Sequence, residues 1–325
     1  MATYQYRGFG QEQSRSISLA VVVLGAPHPR FFDPLGARPR RSMMTKQEYN
    51  IYVDVHNFVQ LNIGDPSHFR NLKKLASNAA KRAGTTAKRL GLTTTNTPDF
   101  DKLMLYDFVI LCDDSSSMHR DNRVQDLKTT LEEIAKIVNS IGFDRSGITI
   151  RFLNYPEDAT GEFNNLTNLD EISKQVDKAY QRKRRGSELG GKLQSKVIEP
   201  FIKKPIDNGK FEKPIIVVMI SDGQSTDENE NTLKDVIKDC KKFLDDKQYR
   251  KGSVIFLLSQ IGNSNTATEL LEGVRNDEEI RDMVYCSPHR LDEMIRKPQG
   301  ESPPQYNPMM LWSSKLCGLL AIGSP

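Results

Sequence analysis

Two apolar runs, each ending in oxygen-bearing side chains, constrain this chain more than any other feature. The first lies between Tyr106 and Met118 and reads Tyr-Asp-Phe-Val-Ile-Leu-Cys-Asp-Asp-Ser-Ser-Ser-Met. Phe108, Val109, Ile110 and Leu111 have the length and near-continuous hydrophobicity of a strand buried on both faces. Asp113, Ser115 and Ser117 follow two residues apart, where such a strand has to stop. The second run, Pro214 to Ile220, carries Ile-Ile-Val-Val-Met-Ile and ends in Ser221-Asp222-Gly223. In an open α/β sheet, ligands bind beyond the carboxyl ends of the strands. Carboxylates and hydroxyls at such ends converge on a crevice, and hard oxygen donors of this kind suit Mg2+.

The rest of the chain alternates in type. Between Asp121 and Ile141, Val124, Leu127, Leu131, Ile134 and Val138 recur at helical spacing, and Gly142 ends the helix. Gly147 to Leu153 reads as a strand, with Gly161 to Leu166 as a short edge strand beside it. Helices are expected over Leu169 to Arg185, Ser187 to Ile202, Thr232 to Tyr249, Thr268 to Met283 and Leu291 to Arg296. Strands are expected over Ser253 to Leu258 and Val284 to Cys286. This alternation predicts an α/β fold: a doubly wound, mainly parallel sheet with helices on both faces.

That domain is expected over residues 99–300. Residues 1–45 lack sustained periodicity, are rich in Pro, Gly and Arg, and read as disordered. Residues 46–98 read as a basic helical extension and linker. Within them Ile51, Val53 and Val55 alternate as in a short strand from Glu48 to Ile63. A basic helix runs from Ser67 to Leu90, interrupted at Gly84, and Thr93 to Pro98 reads as a linker. Residues 301–325 form a tail.

Composition narrows the function classes. The four cysteines, Cys112, Cys240, Cys286 and Cys317, are far apart and form no Cys-x-x-Cys, and the five histidines do not cluster near them. A zinc site is not expected, and a reducing, cytoplasmic setting fits best. No apolar run is long enough to span a membrane. Ile17 to Ala26 has the outline of a leader, but its long flank carries Glu12. The net charge of +4 is modest, and its basicity is local to the first hundred residues and to Arg182-Lys183-Arg184-Arg185. The 67–90 helix is expected to be solvated, with an acidic membrane surface as the weaker alternative. No specific nucleic acid is expected, because basic and aromatic residues do not interleave.

Three features taken singly are ordinary. A serine-rich turn, an Asp-Gly turn and Ser187 as an N-cap each have a local explanation. In order along the chain, they are Asp-x-Ser-x-Ser after a buried strand, a Gly186-Ser187 loop some seventy residues on, and a late strand ending in Ser221-Asp222-Gly223. Together they resemble the von Willebrand factor type A (vWA) domain and its metal-ion-dependent adhesion site, over roughly Leu103 to Lys297.

The resemblance implies a Rossmann-like sheet and a bound Mg2+ or Mn2+. Ser115 and Ser117 would bind the cation through their hydroxyls, Asp113 and Asp222 mostly through water, and Ser187 at the place where the family usually has threonine. An open coordination place would then take an acidic side chain from a partner protein. Asp114 is a departure, adding a carboxylate where the family often has a small or uncharged residue. The run Arg182 to Arg185 either flanks the site and attracts acids or ends a solvated helix. The expected role is a divalent-cation-dependent protein-binding or scaffold domain, not an enzyme. The alternative is metal-dependent phosphoryl transfer or hydrolysis using Asp113, with His119 as the one nearby histidine able to act as a base. Such enzymes usually carry a second acid where this chain has Ser115.

Overall fold

The computed structural model describes residues 45–64, 69, 72–89, 102–141, 147–156, 161–223, 229 and 231–295. The expectations for residues 1–44, the 93–98 linker, Gly142 and the C-terminal tail lie outside them. Five strands form one parallel sheet: β1 (Asp107–Cys112), β2 (Ile148–Phe152), β3 (Ile215–Ser221), β4 (Val254–Gln260) and β5 (Val284–Cys286), in the order β2-β1-β3-β4-β5. Every residue of β3 and β4 is buried. That explains why these segments are continuously apolar rather than alternating. The middle of the sheet is β3, and β1 lies beside it.

Helices cover both faces. α3 (Arg123–Ile141) follows β1 and packs with α4 (Leu169–Tyr180) and with α9 (Leu291–Ile295). α5 (Leu189–Leu193) continues as a π-helical stretch, Gln194–Lys203, that contains Pro200, and then as α6 (Lys204–Asp207). A proline cannot donate to the i−4 carbonyl, so a wider turn at this place is expected. α5 packs on α7 (Thr232–Asp246), and α8 (Asn265–Arg275) packs on β4 and β5. Leu127, Leu131, Ile134 and Val138 of α3 are buried as their spacing predicts.

The chain leaves β1 toward β2 on one side and returns to β3 on the other. The crevice of a doubly wound sheet opens at this reversal. Cys112 pairs with both Phe152 and Ile220, so the segments after β1 and β3 emerge side by side.

The opposite end of the sheet is covered. α1 (Lys46–Phe58) starts on a capping box: Glu48 N–H donates to Thr45 Oγ1 at 3.2 Å, and Thr45 N–H donates to Glu48 Oε2 at 2.7 Å. A π-helical turn, Val59–Ile63, continues it. The expected strand from Glu48 to Ile63 is therefore helical. Tyr52, Val55, His56, Val59, Asn62 and Ile63 are buried, a stripe at three- and four-residue spacing that outweighs the local alternation of Ile51, Val53 and Val55. α2 (Leu72–Arg89) lies on α1 through Leu75, Ala76, Ala79 and Ala80. It passes through Gly84 without a break. A mid-helix glycine costs only about 1 kcal/mol, which this packing offsets. Asp54 meets Lys102 at 3.3 Å, Ser253 Oγ donates to Ile63 O at 3.1 Å, and Phe69 packs edge-on to Tyr249. These contacts tie the extension to the segments that lead into β1 and β4.

Three further boundaries differ from expectation. The helix expected over Thr268 to Met283 is α8, which starts at Asn265 and ends at Arg275, with turns from there to β5. α4 ends at Tyr180 rather than near Arg185, because the chain turns extended and Arg184 bridges to Ser115. Gly161 to Leu166 is a loop with one antiparallel bridge, Leu166 to Ile148. Asn165 sits at φ +54°, a left-handed conformation that breaks a ladder.

Candidate metal site

The site grows from the end of β1. Asp113 N–H still donates to Ile220 O at 2.9 Å, so Asp113 is held in line with the sheet. Its side chain is 1% exposed. Asp113 Oδ1 accepts from Ser115 N–H at 2.9 Å, and Oδ2 accepts from the Ser221 hydroxyl at 2.6 Å. The chain then turns into a short 3-10 helix, Ser116–His119. The turn brings the Ser115 and Ser117 hydroxyls to 2.8 Å of each other, both buried.

The end of β3 supplies the second carboxylate. Ser221 Oγ accepts from Gly223 N–H at 2.8 Å while donating to Asp113, so one hydroxyl ties the two loops. Asp222 is fully buried, and its Oδ2 forms an ion pair with Arg123 Nη1 at 2.6 Å. Arg123 is the first residue of α3 and also reaches Asp121 at 3.4 Å.

The third loop is bound to the first. Ser116 N–H donates to Arg184 O at 2.8 Å. Asn154 N–H donates to Asp114 Oδ1 at 2.7 Å, and Asn154 Nδ2 donates to Gly186 O at 2.9 Å. Gly186 has φ +96°, which turns the chain into the buried Ser187. Ser187 is not the N-cap of α5. That position falls to Glu188, with no side-chain cap bond, which leaves Ser187's hydroxyl outside helix capping. The Tyr180 hydroxyl donates to Asp113 O. His119 packs edge-on to that ring at 5.7 Å.

Asp114 is turned away from the cluster. It is fully buried, and Arg184 lies 3.5 Å from its Oδ2. Arg184 also covers the Tyr155 ring at 4.8 Å and donates to Ala179 O. Arg184 is thus committed to holding the third loop, whereas Arg182, Lys183 and Arg185 are exposed. Arg120, three residues past Ser117, is exposed as well.

Burial dominates the electrostatics. It pushes the Asp113 carboxyl up to about 6; the Ser221 hydrogen bond works against the rise and the Asp222 charge adds to it. Burial also raises Asp114, against the opposing Asn154 N–H and Arg184 charge. A cation between the loops would relieve the first of these penalties. The donors fit one. Magnesium takes six oxygens at about 2.0–2.1 Å, which puts neighbouring donors about 3 Å apart, and the Ser115 and Ser117 oxygens are 2.8 Å apart. Among the described residues no group of three or more His, Cys, Asp and Glu is placed to hold a metal. The candidate set instead has two carboxylates and three hydroxyls, a hard and weakly charged set.

Sequence reasoning placed Asp113, Ser115, Ser117, Ser187 and Asp222 on three loops, and the structure brings those loops together at the topological reversal. It missed Arg123, Asn154 and Tyr180, and gave Ser221 no role. Only Arg123 left a signal: a cation in the first helical turn opposes the helix dipole and needs a partner.

A family model for the von Willebrand factor type A domain matches residues 107–281. Among solved structures, the chain is similar to proximal thread matrix protein 1 from the mussel byssus, at 19% identity and a TM-score of 0.40. That similarity covers 58% of this chain and 44% of the mussel protein, so the chain spans less than half of that protein's length. A search of curated proteins finds no match. The family match covers more than half of the chain, from the first residue of β1 to the approach to β5, and the chain belongs to the von Willebrand factor type A domain family.

Proposed function

We propose that this domain binds a partner protein through a divalent cation, Mg2+ or Mn2+. The cation is held by the hydroxyls of Ser115, Ser117 and Ser187, with Asp113 and Asp222 acting mostly through water. Domains of this family are generally protein-interaction modules, often metal-dependent. The observation that carries the reading is the pair of buried hydroxyls 2.8 Å apart, set between two buried carboxylates where the sheet reverses. When bound, the cation supplies Lewis acidity for an incoming carboxylate. The chain's own residues fix the loops, keep the donors dry and leave few negative charges around them. Arg120, Arg182, Lys183 and Arg185 lie exposed on the first and third loops and favour an acidic partner surface. A nucleophilic Asp113 is a poorer fit: both its oxygens accept hydrogen bonds, and Ser115 stands where a second acid is needed. The cytoplasm remains our proposed setting; Cys112, Cys240 and Cys286 are buried free thiols.

The test uses the full chain. Calorimetric titration with Mn2+ is expected to show one site, weakened about ten- to a hundredfold by Ser117→Ala. A fluorescent glutamate-rich peptide is expected to bind in Mg2+ and to be released by chelator. Undiminished Mn2+ binding in Ser117→Ala, or peptide binding that survives chelator, would overturn the reading. Replacing Arg182, Lys183 and Arg185 together by alanine is expected to slow peptide association about three- to tenfold and flatten its salt dependence. Stopped-flow mixing at two ionic strengths reads both effects, with Mn2+ affinity unchanged.

A further inference from the structure

We infer that Arg123 is a fixed internal counter-ion of the metal site, one that weakens its hold on the cation and leaves the loaded site positively charged for an acidic ligand. The inference rests on the proposed metal reading and adds to it a residue that determines how the site divides its affinity.

The placement of Arg123 is specific. Its side chain is 7% exposed, and its Nη1 lies 2.6 Å from Oδ2 of the fully buried Asp222. The guanidinium occupies a slot formed by a glycine. Gly262 has φ +78°, and a Cβ there would fall 2.6 Å from Arg123 Nε. Gly262 is itself held by its N–H, which donates to Asp292 Oδ1 at 2.9 Å. Nη2 faces the exposed Asp121 at 3.4 Å, and Nη1 lies 3.5 Å from Ser117 O. The Nε, though buried, has no hydrogen-bond acceptor. A guanidinium at the start of a helix, with one nitrogen unpaired, is held mainly by the Asp222 charge.

The charge count gives the consequence. Among the buried groups, Asp114 is matched by Arg184. Asp113 and Asp222 carry two negative charges, and Arg123 removes one. Asp121 is exposed and its charge is screened by solvent. A divalent cation then leaves the site at net +1, whereas without Arg123 it would leave it neutral. In a buried site, one unit of charge a few ångströms away changes ion affinity by at least about tenfold. Arg123 therefore weakens cation binding and strengthens capture of a carboxylate by the loaded site.

The experiment compares the full parent chain with Arg123→Gln and Arg123→Lys, using Mn2+ alone by calorimetry and the melting temperature with and without Mn2+. Arg123→Gln is expected to bind Mn2+ at least about tenfold more tightly, and Arg123→Lys, which keeps the charge, to stay closer to the parent than Arg123→Gln does. The glutamate-rich peptide is expected to bind Mn2+-loaded Arg123→Gln more weakly than loaded parent. If Arg123→Gln folds only when Mn2+ is present, the cation is supplying the neutralisation that Arg123 supplied, and the inference stands. Unchanged or weaker Mn2+ binding in Arg123→Gln, or failure to fold even with Mn2+, overturns it. A parent chain that binds no Mn2+ overturns the metal reading itself, and this inference with it.

Discussion

In chelator at pH 7, Asp113→Asn is expected to melt about 3–8 °C above the parent chain, while losing divalent binding by more than a hundredfold. The two effects share a cause. Asp113 is buried, and its carboxyl titrates at about 6 in the fold against 3.8 as a free side chain. A rise of that size means that ionised Asp113 costs the metal-free fold up to about 3 kcal/mol. An amide keeps the oxygen that accepts from Ser115 N–H and offers an N–H to Ser221 Oγ. It carries no charge to desolvate or to oppose Asp222. We expect about 1–2 kcal/mol of the cost to be recovered.

The pH dependence follows from the direction of the shift. Between about pH 4 and 6 the folded chain keeps a proton on Asp113 that the unfolded chain releases. This contribution is fully favourable below pH 4 and is lost as the pH rises through 6. The advantage of Asp113→Asn is therefore largest at pH 7 and closes near pH 4. Magnesium reverses the order: a cation at a hundred times its Kd stabilises the parent by about 2.7 kcal/mol and leaves the variant unchanged. Thermal melts at two pH values, in chelator and in Mg2+, read all of this. A variant less stable than the parent in chelator at pH 7 would show that the Asp113 hydrogen bonds outweigh its desolvation. A Mg2+-dependent rise in the variant would remove Asp113 from the site.

The second large effect is expected at Gly223. Gly223→Ala should cost about 3–5 kcal/mol and lower the melting temperature by roughly 10 °C. Gly223 has φ +71°, and a Cβ on it would lie 2.1 Å from Ala267 Cβ and 2.4 Å from Ala267 Cα. Neither can yield easily, because Ala267 is in the first turn of α8, under a cap from Ser264. The turn out of β3 must therefore open, and Asp222 moves with it. Gly209→Ala is the comparison. Its φ is +61°, with nothing within 4 Å of the added carbon, so it should cost only the backbone term of about 1–2 kcal/mol. Urea unfolding of both variants separates the terms. Equal losses would mean that the close approach of α8 has no weight.

Much of this protein is written locally. β5 has the bounds its sequence predicts, Val284–Cys286, and β1 and β3 fall within a residue or two of theirs. A strand covered on both faces must be apolar at every position, so its sequence is nearly a statement of its environment. The end of such a strand is equally plain, because Asp113 and Asp222 cannot continue it. The α/β alternation then predicts where those ends meet.

What the chain could not state locally is which neighbour each group would find. Ile51, Val53 and Val55 alternate as a strand does, yet Tyr52, Val55, Val59 and Ile63 face α2 and the base of β4 as a helix. The choice is made by packing partners far along the chain. Arg182 to Arg185 looked like one basic run, but Arg184 alone is drawn inward, by Asp114 seventy residues before it, and α4 ends early in consequence. Arg123, a cation in the first turn of α3, shows in the sequence only that it needs a partner; β3 supplies it by placing Asp222 beside it. Ion pairs and loop contacts of this kind join residues about a hundred positions apart, and their energies depend on burial that exists only after folding. The sequence by itself determined the five strands of the sheet, the α/β alternation and which oxygen-bearing side chains end β1 and β3. The tertiary structure decided which of those side chains are buried and which of the charges are paired.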